Sequence, residues 1–224
     1  MSKIQTNQLQ HTANGASVFT LPTSDGTNGQ ALKTNGSGTL SFGTAGNPSS
    51  IQVLEQFYGV ADGSSFTTNQ GSITLTDVTS VLNLTTSFQD LPGSSITYTP
   101  PSGTSHVIYE VQFGLRSDNN SAILGGHMVL DGNVISDSRF GLRGSTNYSD
   151  MLYTFKYGIN IGGSTSTTTG RLASWTSGKV IKLQLDEHSS SYQWRANILG
   201  NYGAAGAINA TMRPRVGITA IGTL

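Results

Sequence analysis

Apolar and polar positions alternate with a period of two through most of the chain. Val107, Tyr109, Val111, Phe113 and Leu115 alternate with His106, Ile108, Glu110, Gln112 and Gly114. Met151, Tyr153, Phe155, Tyr157, Ile159 and Ile161 form a second apolar stripe, and Ile181, Leu183 and Leu185 a third. Tyr192, Trp194, Ala196 and Ile198 make a fourth, and Val216, Ile218 and Ala220 a last one. Such alternation buries one face of a strand and wets the other, the habit of antiparallel sheets. No window holds the i, i+3, i+4, i+7 spacing of an amphipathic helix over three turns.

Turn chemistry falls between the stripes. Asp131-Gly132 follows Met128–Leu130 and precedes Val134-Ile135, a two-residue hairpin signal. Pro100-Pro101-Ser102-Gly103 closes a strand over Ser95–Thr99, and Gly162–Gly170 and Gly200–Gly206 read as polar loops. The pattern predicts an all-β protein with an antiparallel jelly-roll β-sandwich over residues 51–224.

Before residue 50 the large apolar side chains thin out to Ile4, Leu9, Val18, Phe19, Leu21, Leu32, Leu40 and Phe42. Gln30–Thr34 and Thr39–Phe42 read as two short strands joined by Asn35-Gly36-Ser37-Gly38, and residues 43–50 as a linker. A lone hairpin is marginal in water. Its three large side chains, Leu32, Leu40 and Phe42, are worth roughly 1.5–3 kcal/mol each when buried, too little to order about 18 residues. The segment is therefore either a flexible tail or a piece that borrows its core from sister copies packed around an axis.

Composition narrows the function classes. Charged residues make up 11% of the 224, and 12 Lys plus Arg balance 12 Asp plus Glu. A neutral surface offers no electrostatic footprint for nucleic acid, so partners are expected to be met through hydrogen bonds, stacking and shape, as glycans and proteins are. With 0 Cys there is neither a disulfide framework nor a thiolate metal site. MSKIQTNQLQ has no apolar core of a secretory signal, and no apolar run is long enough for a membrane-spanning helix.

Two stretches resemble a known family. Residues 18–43, VFTLPTSDGTNGQALKTNGSGTLSFG, are similar to the stem module of tail-fibre and related appendage proteins of tailed phages. Leu21-Pro22, Asp25-Gly26, Gly29-Gln30, Leu32, Gly36, Gly38 and the Leu40–Phe42 strand carry the match, which covers about an eighth of the chain. The resemblance implies a short three-chain β stem over 18–42, with Val18, Phe19, Leu21, Leu32, Leu40 and Phe42 in its core. It further implies that residues 1–17, with Lys3, Ile4 and Leu9, anchor the protein on another virion protein, although a segment this polar reads equally as a disordered terminus. Phe88, Asp90-Leu91-Pro92-Gly93, Ile96–Thr99, Pro100 and His106–Leu115 look like the start of phage-fibre heads, which are similar to the jelly rolls of the tumour-necrosis-factor and complement class. The expectation is a homotrimeric virion component, assembled in the host cytoplasm, with a head that contacts a host surface glycan or protein.

Candidate chemistry is sparse. There is no phosphate-binding loop, dinucleotide motif, HExxH or GxSxG elbow. Asp186-Glu187-His188 could not readily chelate one ion from a strand, where neighbours point to opposite faces, and reads better as a polar turn after the strand Ile181–Leu185. Asp131, Asp137 and Asp150 are the nearest carboxylates to a glycan-cutting pair, but turn and surface roles account for them better. No catalytic residue, metal or cofactor is expected. Trp175, beside Ser174, Thr176 and Ser177, and Tyr192 are candidate receptor contacts, Trp175 the better placed for exposure although packing accounts for it at least as well, while Trp194 in its stripe reads as core or interface. The competing readings are a capsid fibre or decoration protein, a tail adaptor without a receptor role, a glycan-binding lectin and a small glycan depolymerase.

Overall fold

The computed structural model describes residues 6–10, 18–44, 51–119, 121–144, 149–199 and 210–223. Lys3, Ile4, His11, most of the 43–50 linker and the 200–206 loop lie outside the described residues. The chain divides into two compact units, Met1–Ser50 and Ile51–Leu224.

The first unit holds β1 (Gln8–Gln10), β2 (Val18–Thr20), β3 (Gln30–Thr34) and β4 (Leu40–Thr44). β1 pairs antiparallel with β2, placing Leu9 opposite Phe19. That pairing was not legible in the polar N-terminal sequence. β3 and β4 form the expected hairpin with Leu32 opposite Phe42. Its turn is built by Asn35, whose side-chain oxygen accepts from the N–H groups of Ser37 (2.8 Å) and Thr39 (3.1 Å). Gly36 and Gly38 take the positive φ the turn needs, 78° and 85°. The Thr20 N–H donates to the Gly38 carbonyl (2.8 Å), tying β2 to the hairpin.

The second unit is an antiparallel β-sandwich. Its strands are β5 (Gln52–Val60), β6 (Ser65–Thr68), β7 (Gly71–Thr74), β8 (Leu82–Asn83), β9 (Gln89–Asp90), β10 (Ile96–Tyr98), β11 (Thr104–Ser117), β12 (Ile123–Leu130) and β13 (Asn133–Val134). They continue as β14 (Phe140–Arg143), β15 (Ser149–Asn160), β16 (Lys179–Glu187), β17 (Trp194–Ala196), β18 (Ile198–Leu199), β19 (Ala210–Thr211) and β20 (Arg215–Gly222). Among the described residues the helical content is one 3-10 turn, Ser136–Ser138.

β11 is the spine of the first sheet. β15 covers one of its edges along twelve residue pairs. β20 and then β17 share the other edge, β5 lies beyond β20, and β8 lies beyond β17. The second sheet centres on β12 and β16, with β10 and β9 outside β16 and β13 and β14 outside β12. Val107, Tyr109, Val111, Phe113 and Leu115 of β11 and Ile181, Leu183 and Leu185 of β16 are buried in one core, as the alternation requires. Rings bridge the two sheets: Phe140 stacks on Tyr153 at 5.0 Å, and Tyr98 meets Phe57 edge-on at 6.1 Å.

Local sequence explains the turns. Asp131 and Gly132 have φ of 50° and 81°, both positive, as a two-residue hairpin loop demands. In Asp90-Leu91-Pro92-Gly93, Leu91 enters the core and Gly93 has φ 80°. A Cβ on Gly93 would lie 2.7 Å from Val78 and 2.8 Å from Ala61, so glycine is required there twice over. The fourth stripe is shorter than the alternation suggested. Tyr192 lies in a turn whose N–H donates to Ser189, and Asn197, at φ 58°, ends β17 before Ile198.

Candidate functional site

The first unit leaves its apolar groups in the open. Leu9 is 50% exposed, Leu32 49% and Phe42 37%, and Val18 and Phe19 are exposed to a similar degree. Leu21 and Leu40 are half-buried. Pairing within a single chain thus brings the expected stem residues onto two short hairpins without giving them a core. Gly26 lies against the Phe42 ring, where an added Cβ would be 2.6 Å from its Cγ. The Asp25-Gly26 step therefore serves to seat Phe42.

In the sandwich, the two aromatic candidates separate. Trp175, the better-placed candidate for an exposed contact, is 4% exposed and takes the packing role instead. Its polar neighbours do mark a turn, but the indole folds back into the core. Its Nε1–H donates to the Tyr98 carbonyl (2.9 Å), and its ring meets that of Tyr98 edge-on at 6.0 Å. Tyr192 is exposed. The two flank opposite ends of β16, whose nine residues span roughly 26 Å at about 3.3 Å per residue, so they do not form one site. Trp194 is fully buried in the core.

Asp186 and Glu187 point to opposite faces of β16. Glu187 is buried and accepts from the Trp194 N–H (3.0 Å); burial pushes its carboxyl above the usual range, with that hydrogen bond pulling the other way. Asp131 is paired with Lys179 (2.7 Å) and Asp150 faces Arg116 (3.8 Å), while Asp137 lies in the 3-10 turn. His127 is buried on the outer face of the second sheet, under Phe88 at 4.1 Å, with Nε2 against Gln184 (3.1 Å). Its Nδ1 has no hydrogen-bond partner among the described residues, and burial holds its imidazole below the ordinary value. Among the described residues no group of three or more His, Asp or Glu is placed to hold a metal ion, and no helix is long and apolar enough to cross a membrane.

Two clefts flank the segment 162–178, which begins with the expected polar loop Gly162–Gly170. One, of about 350 Å³, is walled by Pro100, Pro101, Ile161 and Trp175 with Thr99 and Thr104. The other, of about 220 Å³, is walled by Asp131, Asn133, Arg171 and Lys179 with Thr165 and Thr167. Ala173 and Ser174 border both.

No protein-family model matches the chain, and no curated protein matches it. Among solved structures, that of the infectious bursal disease virus Gx strain is 12% identical at a TM-score of 0.34, over 83% of this chain and 39% of that one. The Gt strain structure is 11% identical at a TM-score of 0.31, over 96% of this chain and 48% of that one. A "putative sugar binding protein" from Bacteroides thetaiotaomicron is 11% identical at a TM-score of 0.27, over 79% and 90% of the two chains. This chain thus spans less than half the length of either virus protein. Likenesses this shallow do not bear on what the chain does.

Proposed function

We propose that this chain is a non-enzymatic virion appendage, a short homotrimeric fibre of the tailed-phage kind whose sandwich head contacts the host surface. One observation carries the reading: Val18, Phe19, Leu32 and Phe42 of the expected stem core are exposed when the first unit is taken as a single chain. Exposed apolar groups on a segment of two short hairpins favour packing against sister copies, which removes their surface from water. The stem-like pattern of residues 18–43 supports three copies. Residues 1–17 are the segment proposed to dock on another virion protein. The neutral, hydroxyl-rich composition suits a head that recognises glycan or protein rather than nucleic acid.

Light scattering at micromolar concentration is expected to return three times the chain mass of 23.5 kDa. A monodisperse single chain would overturn the fibre reading. Labelling intact particles with an antibody against residues 51–224 then separates a tail fibre from a capsid fibre or an adaptor. A trimer absent from particles would point to a free lectin. Release of reducing ends from host glycan would refute the non-enzymatic role.

A further inference from the structure

The two clefts beside the loop 162–178 share a border and differ in chemistry. We propose that together they form one extended saccharide site, in which the first cleft seats a neutral sugar and Arg171 selects an anionic sugar in the second. This deepens the host-contact part of the function proposed above and rests on it.

The loop is already held in place. Leu172 donates to the Asn160 carbonyl (3.0 Å), Gly162 to Leu172 (2.8 Å) and Ser166 to Arg171 (2.9 Å). Asp137 donates to the Thr168 carbonyl (2.9 Å), the Tyr157 hydroxyl to Thr169 (3.0 Å), and the Trp175 indole pins the far end to Tyr98. A site fixed before its ligand arrives loses little ordering entropy on binding. Pro101 and Ile161, both half-buried, give the first cleft an apolar wall for the C–H face of a sugar ring, with the hydroxyls of Thr99, Ser102 and Thr104 at its margin.

In the second cleft Asp131 and Lys179 neutralise one another at 2.7 Å. Arg171 is exposed, and its guanidinium has no hydrogen-bond or ion-pair partner among the described residues. The cleft therefore carries one uncompensated positive charge in a chain whose formal net charge is +0. A planar guanidinium fork matches a carboxylate or phosphate in two parallel hydrogen bonds. The paired Asp131 and Lys179, with Asn133 and the Thr165 and Thr167 hydroxyls, offer both donors and acceptors to ring hydroxyls. Ala173 and Ser174 are exposed and small, so the ridge between the clefts is low enough for a glycan to cross.

The test applies the full chain to immobilised oligosaccharides bearing uronate, bearing sugar phosphate, or matched and neutral. Binding should concentrate on the acidic members, and the stronger of the two acidic classes identifies the source of the charge. Arg171→Gln should weaken it about tenfold, the worth of a charge-assisted hydrogen bond, and abolish the preference over neutral members. Ser174→Trp, which fills the ridge at an exposed position, should remove binding to all members with the thermal midpoint unchanged. Equal binding to neutral and acidic members, no binding at all, or indifference to either substitution would overturn the site. Light scattering on the same sample keeps the two proposals apart: a trimer that binds no acidic sugar sinks the site alone, and a single chain that binds it sinks the fibre alone.

Discussion

Phe42 gives the sharpest test of the stem. It is 37% exposed on the first unit. With about 200 Å² for a phenylalanine, the exposed part is about 75 Å² and is worth about 1.8 kcal/mol when buried by sister copies. Three chains contribute three times that, about 5.5 kcal/mol per trimer, or about 10⁴ in the association constant. The concentration at half-dissociation of a trimer scales as the square root of its dissociation constant, so Phe42→Ser should raise it about 100-fold. Sedimentation over a dilution series measures that midpoint. Tryptophan fluorescence in urea provides the control, because both tryptophans lie in the sandwich and its transition should be unmoved. On the surface of a lone hairpin the same change is expected to cost no more than about 0.5 kcal/mol and to leave association untouched. An unchanged midpoint would refute the argument that the stem borrows its core.

Trp175→Ala should lower unfolding free energy by about 3–5 kcal/mol in chemical denaturation, because it empties a core position and orphans the Tyr98 carbonyl; a loss under about 1 kcal/mol would return the ring to the surface. Gly114→Ala should be worse than a typical surface change, since its Cβ would meet the backbone carbonyl of Ile198, which cannot swing aside as a side chain can; normal expression and an unaltered melting midpoint would contradict this. The pH profile should carry two opposed contributions. His127 has a folded value below its unfolded one, so the unfolded state binds more protons just below pH 6.5 and stability falls as pH drops through that window; His127→Gln should flatten it. Glu187 has a folded value above its unfolded one, so stability falls as pH rises from about 4.5 through the raised value, and Glu187→Gln should raise the urea midpoint at pH 7 but not at pH 4.

The long strands were legible because burial on one face imposes period two: β11, β15, β16 and β20 follow their stripes, with Gly114 and Gly217 the buried exceptions. Asp131-Gly132 and Asn35–Gly38 were legible because positive φ selects Gly, Asn and Asp. What escaped depends on contacts distant in sequence. The Trp175 neighbours announce a turn but not the carbonyl of Tyr98, 77 positions away, that draws the indole inward. Leu9 facing Phe19 depends on a pairing that no alternation in so polar a stretch betrays. The clefts were invisible for the same reason, since Pro100 and Ile161 wall one, and Asp131 and Arg171 the other, from segments far apart in sequence.

The position of β20 governs the order in which the molecule can be made. Arg215–Gly222 lies between Gln52–Val60 and Thr104–Ser117. Until β20 has been made, β5 has no paired strand and half of one β11 edge is bare. The sandwich therefore closes only when a strand made after both of its neighbours slides into the middle of their sheet. A nascent chain stalled or cut ahead of that point would hold the first unit complete and a sandwich unable to shut, with core strands open to chaperones and proteases.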